Sequence, residues 1–374
     1  MNMNMHKLLI LFFFISSPAY PASVTLTHID GLSQIRVNGD TESGDLEKII
    51  AIAPKDARYS VVLNGGGGDF PEAVRIMKFI TEHSIPTVIE KGGECYSACA
   101  LIFLAGIDNE DGAIIPNRTM HSSAKLGLHA PYMQLSKSEY TQEHVEKAYR
   151  LAVMSISDLL RLSDRMKLNN RLLSLFLDKS KSEFYYIDNV DKAVQFGIRI
   201  SDIPVDIKPS RVAVLNACHN FYSWSQPSLQ ESPVEPSNKD HSFNLSLEKG
   251  VNPLLSYKST LSNLKIEYQS RIFKSNTRSL QRLVIPTVDD TYSETWYYCV
   301  VDIAGDNFEV KGFFNEAGPV GKSNYERVFR RASSKQSPDV KIDDFSFSYI
   351  SALPKDTPLV RAHEVLRQYQ RMAR

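Results

Sequence analysis

The sequence predicts an α/β fold built on a parallel sheet, followed by a smaller β-rich C-terminal region. Three observations carry that expectation. Between Gln34 and Ile203, short apolar runs alternate with segments of helical periodicity. Strand and helix alternating at such short intervals close right-handed crossovers onto a parallel sheet. Glycine clusters, Gly65 to Gly68 and Gly92-Gly93, stand where two of the apolar runs end. Beyond residue 250 the runs become β-like, at Arg282–Val288, Thr295–Ile303 and Phe308–Phe314.

Taken in order, His6-Lys7, the apolar run Leu8–Ile15 and the small residues Ser16-Ser17-Pro18-Ala19 read as a secretory signal peptide over residues 1–19, cut after Ala19. No cysteine follows the run, and no later stretch is long and apolar enough to span a bilayer. The expected protein is periplasmic or secreted, with no membrane span after cleavage. Val24–Leu26 and Ile35–Val37 read as strands, and Glu42–Ala53 as a helix burying Leu46, Ile49, Ile50 and Ala53. Tyr59–Leu63 is a buried strand feeding the glycines. Asp69 caps a helix over Phe70–His83, with Glu72 in its first turn. Pro86–Ile89 is the next strand, running through Gly92-Gly93 into the turn at Ser97 and the apolar run Leu101–Gly106.

An acidic loop (Asp108, Glu110, Asp111) leads to Ala113–Pro116 and then to a strand over Lys125–His129. Ser136 or Ser138 caps a long helix reaching about Met166, with Val145, Ala148, Ala152, Ile156 and Leu159 as its apolar stripe. Asn170 caps Arg171–Lys179, Phe184–Ile187 is a short strand, and Asp188 caps a helix ended by Gly197. The domain covers 23–204. Residues 205–249, rich in Ser, Pro, Glu and Asn between Ser225 and Lys249, form a linker, and 250–374 form an α+β region closed by a helix over Leu359–Met372.

With 43 basic and 43 acidic residues, no net field draws the molecule to nucleic acid or anionic lipid. No Walker motif and no metal-ligand spacing is present, so no cofactor or metal is implied. Four cysteines, Cys95, Cys99, Cys218 and Cys299, favour disulfides in an exported chain. Three pairings exist; Cys95 with Cys99 and Cys218 with Cys299 is the most economical.

Acyl transfer through a serine needs a nucleophile, a base, a group that orients the base, and donors for the oxyanion. Ser97 stands where the chain turns into an apolar helix, at the positive end of the helix dipole and with the Ala98 amide free to donate. Gly67 and Gly68 can bring backbone amides to the same point. His129 ends a strand before Ala130-Pro131, a sensible place for a base.

In order and spacing these parts resemble the Clp protease proteolytic subunit and its crotonase-fold relatives. The likeness rests on Asn64-Gly65-Gly66-Gly67-Gly68, a helix, Gly93-Glu94-Cys95-Tyr96-Ser97-Ala98-Cys99-Ala100, Ala105-Gly106, His129-Ala130-Pro131 and the closing Ala193–Gly197. It runs without a gap from Gly93 to Gly106, covers roughly Gln34 to Ile203, and is nearest to exported Clp-like proteins with a Cys-x-Ser-Ala-Cys-Ala segment. The resemblance implies a spiral of ββα units. It also implies Ser97 as nucleophile, His129 as base, and the amides of Gly67, Gly68 and Ala98 as oxyanion hole. Glu183 falls at the third triad position, with Asp188 as its rival, and His121 competes with His129 as base. Asn64-Gly65-Gly66 replaces the family's Asn-Ser-Pro, a more flexible turn. The flanking cysteines map onto small buried family positions and so read as a brace. The expected function is serine endopeptidase chemistry on a peptide or protein substrate, in a homo-oligomer built through the long helix. The alternative is a non-catalytic Clp-like binding or assembly protein. Acyl-CoA chemistry on the same fold is disfavoured by export and by the Ser/His pair.

Overall fold

The computed structural model describes residues 22–203 except 56, 111, 133–139, 169 and 181, together with most of 213–221, 271–341 and 353–372. The expected signal peptide, the cap candidates Ser136 and Ser138, and the Ser/Pro-rich stretch of the linker lie outside the described residues.

The fold is mixed α/β. A six-stranded sheet runs in the order β1 (Ser23–Ile29), β2 (Leu32–Asn38), β3 (Tyr59–Asn64), β4 (Thr87–Ile89), β8 (Arg118–Met120) and β11 (Ile198–Ile200). β1 and β2 form an antiparallel hairpin, and every later neighbour is parallel. The sheet is therefore mixed rather than purely parallel. Helices α1 (Asp45–Ile52) and α2 (Phe70–His83) make the first crossovers. Asp69 caps α2 as its position predicts, its Oδ1 accepting the Glu72 amide at 3.0 Å.

A second sheet of three short strands orders as β10 (Tyr185–Tyr186), β9 (Lys125–Leu128), β5 (Glu94–Tyr96). Between β5 and β9 in sequence lie α3 (Ala98–Leu104) and an antiparallel hairpin of β6 (Ile107–Glu110) and β7 (Ala113–Pro116), which replaces the expected acidic loop. All seven α3 residues are buried, as an apolar helix without a polar face requires.

Helix α4 spans Gln142–Ser163 and is capped by Thr141, whose hydroxyl accepts the His144 amide. The expected stripe is only partly covered: Leu159 is buried and Ala148, Ala152 and Ile156 are half-buried, while Val145 is exposed. Helix α5 covers Asn170–Leu177 and α6 covers Val190–Gln195. The α6 cap is Asn189, not Asp188: its Oδ1 accepts the Lys192 amide at 3.0 Å, the three-residue reach a cap requires, whereas Asp188 pairs with the Lys192 ammonium.

In the second half, β12 (Arg271–Lys274), β13 (Ser279–Asp290), β14 (Thr295–Ala304), β15 (Asn307–Ala317) and β16 (Val340–Lys341) form an antiparallel sheet. The chain ends in a 3-10 turn over Leu359–Arg361 and α7 (Ala362–Met372). Cys299, Val301, Phe308, Val310 and Phe313 share one continuous apolar core with the α/β half. A disulfide from Cys218 to Cys299 joins the β14 strand to the chain just after that half, and Cys95 is bridged to Cys99.

Candidate active site

Ser97 lies between β5 and α3 with φ 55° and ψ −121°, a left-handed backbone that a residue with a side chain rarely adopts. Holding it there costs about 1–3 kcal/mol, so surrounding structure must impose it. Its amide donates to Gly127 O at 2.9 Å on β9. On the other side the glycine turn runs beside β5: Gly65 N donates to Glu94 O at 2.7 Å and Tyr96 N to Gly65 O at 3.0 Å. Across the turn itself, the Cys95–Cys99 bridge ties strand to helix. Ser97 is half-buried.

The glycine turn is fixed from outside. Asn64 Oδ1 accepts the Glu94 amide at 2.9 Å, and Asp40 Oδ1 accepts the Gly66 amide at 3.0 Å. Thr41 donates its amide to Gly67 O at 2.7 Å and accepts from Asp69 N at 2.8 Å. Gly67 and Gly68 have φ of 131° and 116°, conformations open to glycine. A Cβ on Gly67 would lie 2.7 Å from Ser97 Cβ and 3.2 Å from its Oγ, so the turn touches the serine only because it has no side chain. Among the described residues the amides of Gly67, Gly68 and Ala98 have no acceptor.

His129, one residue past β9, is buried. Its Nδ1 is 2.7 Å from Ala130 O. A carbonyl can only accept, so the proton of the neutral ring sits on Nδ1 and Nε2 carries the lone pair. The ring stands edge-on to Phe184 at 4.9 Å between centroids, and Phe184 in turn meets Tyr96 at 5.4 Å and Tyr186 at 5.6 Å. No hydrogen bond joins Ser97 Oγ to His129 among the described residues.

Neither acidic candidate reaches the histidine. Glu183 Oε2 accepts from the Ser180 hydroxyl at 2.9 Å and from its amide at 3.4 Å, and those bonds hold the exposed carboxyl below its usual range. Asp188 pairs with Lys192 at 2.8 Å. The group that orients the His129 ring is the Ala130 carbonyl. His121 is also committed elsewhere: its Nδ1 meets the Ser123 amide at 3.1 Å and its Nε2 faces Asp202 at 3.4 Å.

The far end of α3 is anchored by Arg118, which is fully buried on β8. Its guanidinium donates to Leu104 O at the C-terminus of α3 and to Met166 O at 2.9 Å, placing a cation against the negative end of the helix. Burial pushes this group down to about 9.

Sequence reasoning missed Asp40, Thr41, Phe184 and Arg118. For Asp40 a signal existed: the Asn38-Gly39-Asp40 turn ends β2, and parallel pairing sets Asn38 opposite Asn64. Among the described residues no cluster of His, Cys, Asp and Glu could hold a metal ion, and no helix is long and apolar enough to cross a membrane. No protein-family model matches the chain, and no curated protein matches it significantly.

Proposed function

We propose that the chain is an exported serine peptidase with a Clp-like spiral fold, working through Ser97 and His129. The observation that carries this is the strained backbone of Ser97, held by two neighbours and a disulfide against a glycine turn in which the Gly67 and Gly68 amides have no acceptor among the described residues. Strain of this kind persists where the surroundings over-determine it, and it clusters at functional sites.

Ser97 Oγ adds to the carbonyl carbon of the scissile amide while its proton passes to His129 Nε2. The carbonyl oxygen becomes an oxyanion, held by the amides of Gly67 or Gly68 and of Ala98. His129 returns the proton to the leaving nitrogen, the C–N bond breaks, and the acyl group stays on Ser97 as an ester. Water then adds to the ester carbonyl, giving its proton to His129. The ester bond breaks, Ser97 Oγ is reprotonated and the acid product leaves. The Nδ1–H···O bond to Ala130 keeps Nε2 in the basic tautomer and stabilises the imidazolium, as a carboxylate does in other triads but with less charge. The two disulfides support the exported location.

One observation favours a non-catalytic binding protein instead: among the described residues Ser97 Oγ and His129 are not hydrogen-bonded, and no carboxylate backs the histidine. Catalytic hydrogen bonds often tighten only with substrate bound, which keeps the enzyme reading ahead. A fluorophosphonate probe decides. Labelling of Ser97 that is lost in His129→Ala supports the peptidase, and absence of labelling under oxidising and reducing conditions alike supports the binding protein.

A further inference from the structure

Asp202, just past β11, collects groups from two distant parts of the chain. Its Oδ1 accepts the Ser122 amide at 2.8 Å and its Oδ2 the Ser122 hydroxyl at 2.6 Å. The same Oδ2 lies 2.9 Å from His363 Nε2 on α7 and 3.4 Å from His121 Nε2 after β8. Burial alone would raise this carboxyl, but the Ser122 bonds and His363 outweigh it and hold it below the usual range, so it is a carboxylate at neutral pH.

The two histidines are not equivalent. His121 Nδ1 receives the Ser123 N–H, so that nitrogen presents its lone pair, and Nε2 faces Asp202. Charging His121 would forfeit the Ser123 bond. His363 Nδ1 has no such partner among the described residues, and the side chain is 40% exposed. His363 is therefore free to take a second proton and face the carboxylate as a cation. On its own helix the neighbouring charges are otherwise engaged: Arg361 pairs with Glu364 at 3.3 Å, and Arg367 Nε donates to His363 O at 3.3 Å.

The segment that carries His363 is laid along the chain between the site and α6. Leu359 N donates to Asp188 O at 2.8 Å, Val190 N donates to Thr357 O at 3.1 Å, and Pro358 bridges to Asn189. Leu359, Ala362, Val365 and Leu366 are buried in the common core. Asp188 follows Phe184 by four residues, and Phe184 is, with Tyr132, one of two rings that stand against His129.

We propose that residues 357–366 form a strap tightened by protonation of His363 against Asp202, which holds the Asp188–Val190 segment and thereby Phe184 against His129. The strap itself stands on the hydrogen bonds; its effect on turnover rests on the peptidase reading. A neutral imidazole still donates to Asp202, so raising the pH exchanges a charge-assisted bond for an ordinary one and loosens the strap without releasing it.

The experiment is hydrogen–deuterium exchange on the full chain at pH 5.5 and 8.0, corrected for intrinsic rates, with His363→Gln as control. Gln keeps a donor and does not titrate. Residues 357–366 of the unaltered protein should open about fivefold more often at pH 8.0, the difference between a charged and a neutral hydrogen bond. In His363→Gln the protection should not change with pH. No pH dependence in the unaltered protein, or the same dependence in the variant, overturns the strap. Ser97 labelling tests the coupling, as the rate of His363→Gln divided by that of the unaltered protein, a ratio that cancels titrations common to both. The ratio should fall several-fold below one at pH 5.5 and return to one at pH 8.0. A ratio of one at both overturns the coupling. Absence of labelling in the unaltered protein counts against the peptidase reading, and exchange alone then decides the strap.

Discussion

Removing the two disulfides separately should give opposite patterns of damage. The Cys95–Cys99 bridge closes a loop of five residues and the Cys218–Cys299 bridge one of 82, from sequence separations of 4 and 81. By the chain-entropy relation the first is worth about 2 kcal/mol and the second about 4.5 kcal/mol. The short bridge thus matches the cost of holding Ser97 at φ 55°, about 1–3 kcal/mol. Without it the turn can relax, and re-forming the working geometry for each acylation costs up to that 2 kcal/mol, about 30-fold in rate. All four cysteines are buried, so alanine leaves a small apolar cavity at both bridges alike, and the contrast between the two variants survives it. Cys95→Ala/Cys99→Ala should lose about 2 kcal/mol in urea unfolding and label Ser97 about 30-fold more slowly in the folded state. Cys218→Ala/Cys299→Ala should lose about 4.5 kcal/mol while the folded protein labels within about threefold of the parent rate. If the short-bridge variant loses stability but labels at the parent rate, the bridge is not a brace for the nucleophile. Equal loss of labelling in both variants would refute the reasoning as well.

Gly67→Ala should cut labelling about 100-fold and cost about 1–3 kcal/mol in thermal unfolding, because the new methyl meets Ser97 Cβ at 2.7 Å and the backbone has φ 131°. Glu183→Gln and Asp188→Asn should each leave labelling within about twofold, since exposed pairs of the Asp188–Lys192 kind contribute at most about 1 kcal/mol and neither carboxylate touches His129. A tenfold loss in either would mean that a carboxylate reaches the histidine during turnover.

The strands that carry their own apolar signal, β2, β3 and β9, were legible in the sequence, as was α2 with its Asp69 cap. β8 was not, because Asn117-Arg118-Thr119-Met120 shows no alternation; its arginine is held by two distant carbonyls, one at the end of α3 and one in the turn after α4, which no local pattern encodes. β5 has three residues and exists through pairing with β9 and with Gly65, whereas β10, Tyr185–Tyr186, falls within the expected strand Phe184–Ile187. The caps of α4 and α6 went astray where several capping residues stand close together, and only the distance to the third amide chooses among them. At the site, the residue types at Ser97, His129 and the glycines announce themselves. The partner of His129 could not be read, since it is a backbone carbonyl and every residue has one.

Both bridges join cysteines that are consecutive in the chain. A chain oxidised as it emerges from its N-terminus closes Cys95 onto Cys99 before Cys218 is exposed, and Cys218 then finds Cys299 as its one remaining partner. Order of appearance alone yields the native set, so the slow thiol–disulfide reshuffling that non-consecutive pairings require is not on the route. The penalty for error falls on the second pair. Loss of Cys299 leaves Cys218 with no partner in the chain, free to attack the short bridge beside Ser97 until the core closes over it.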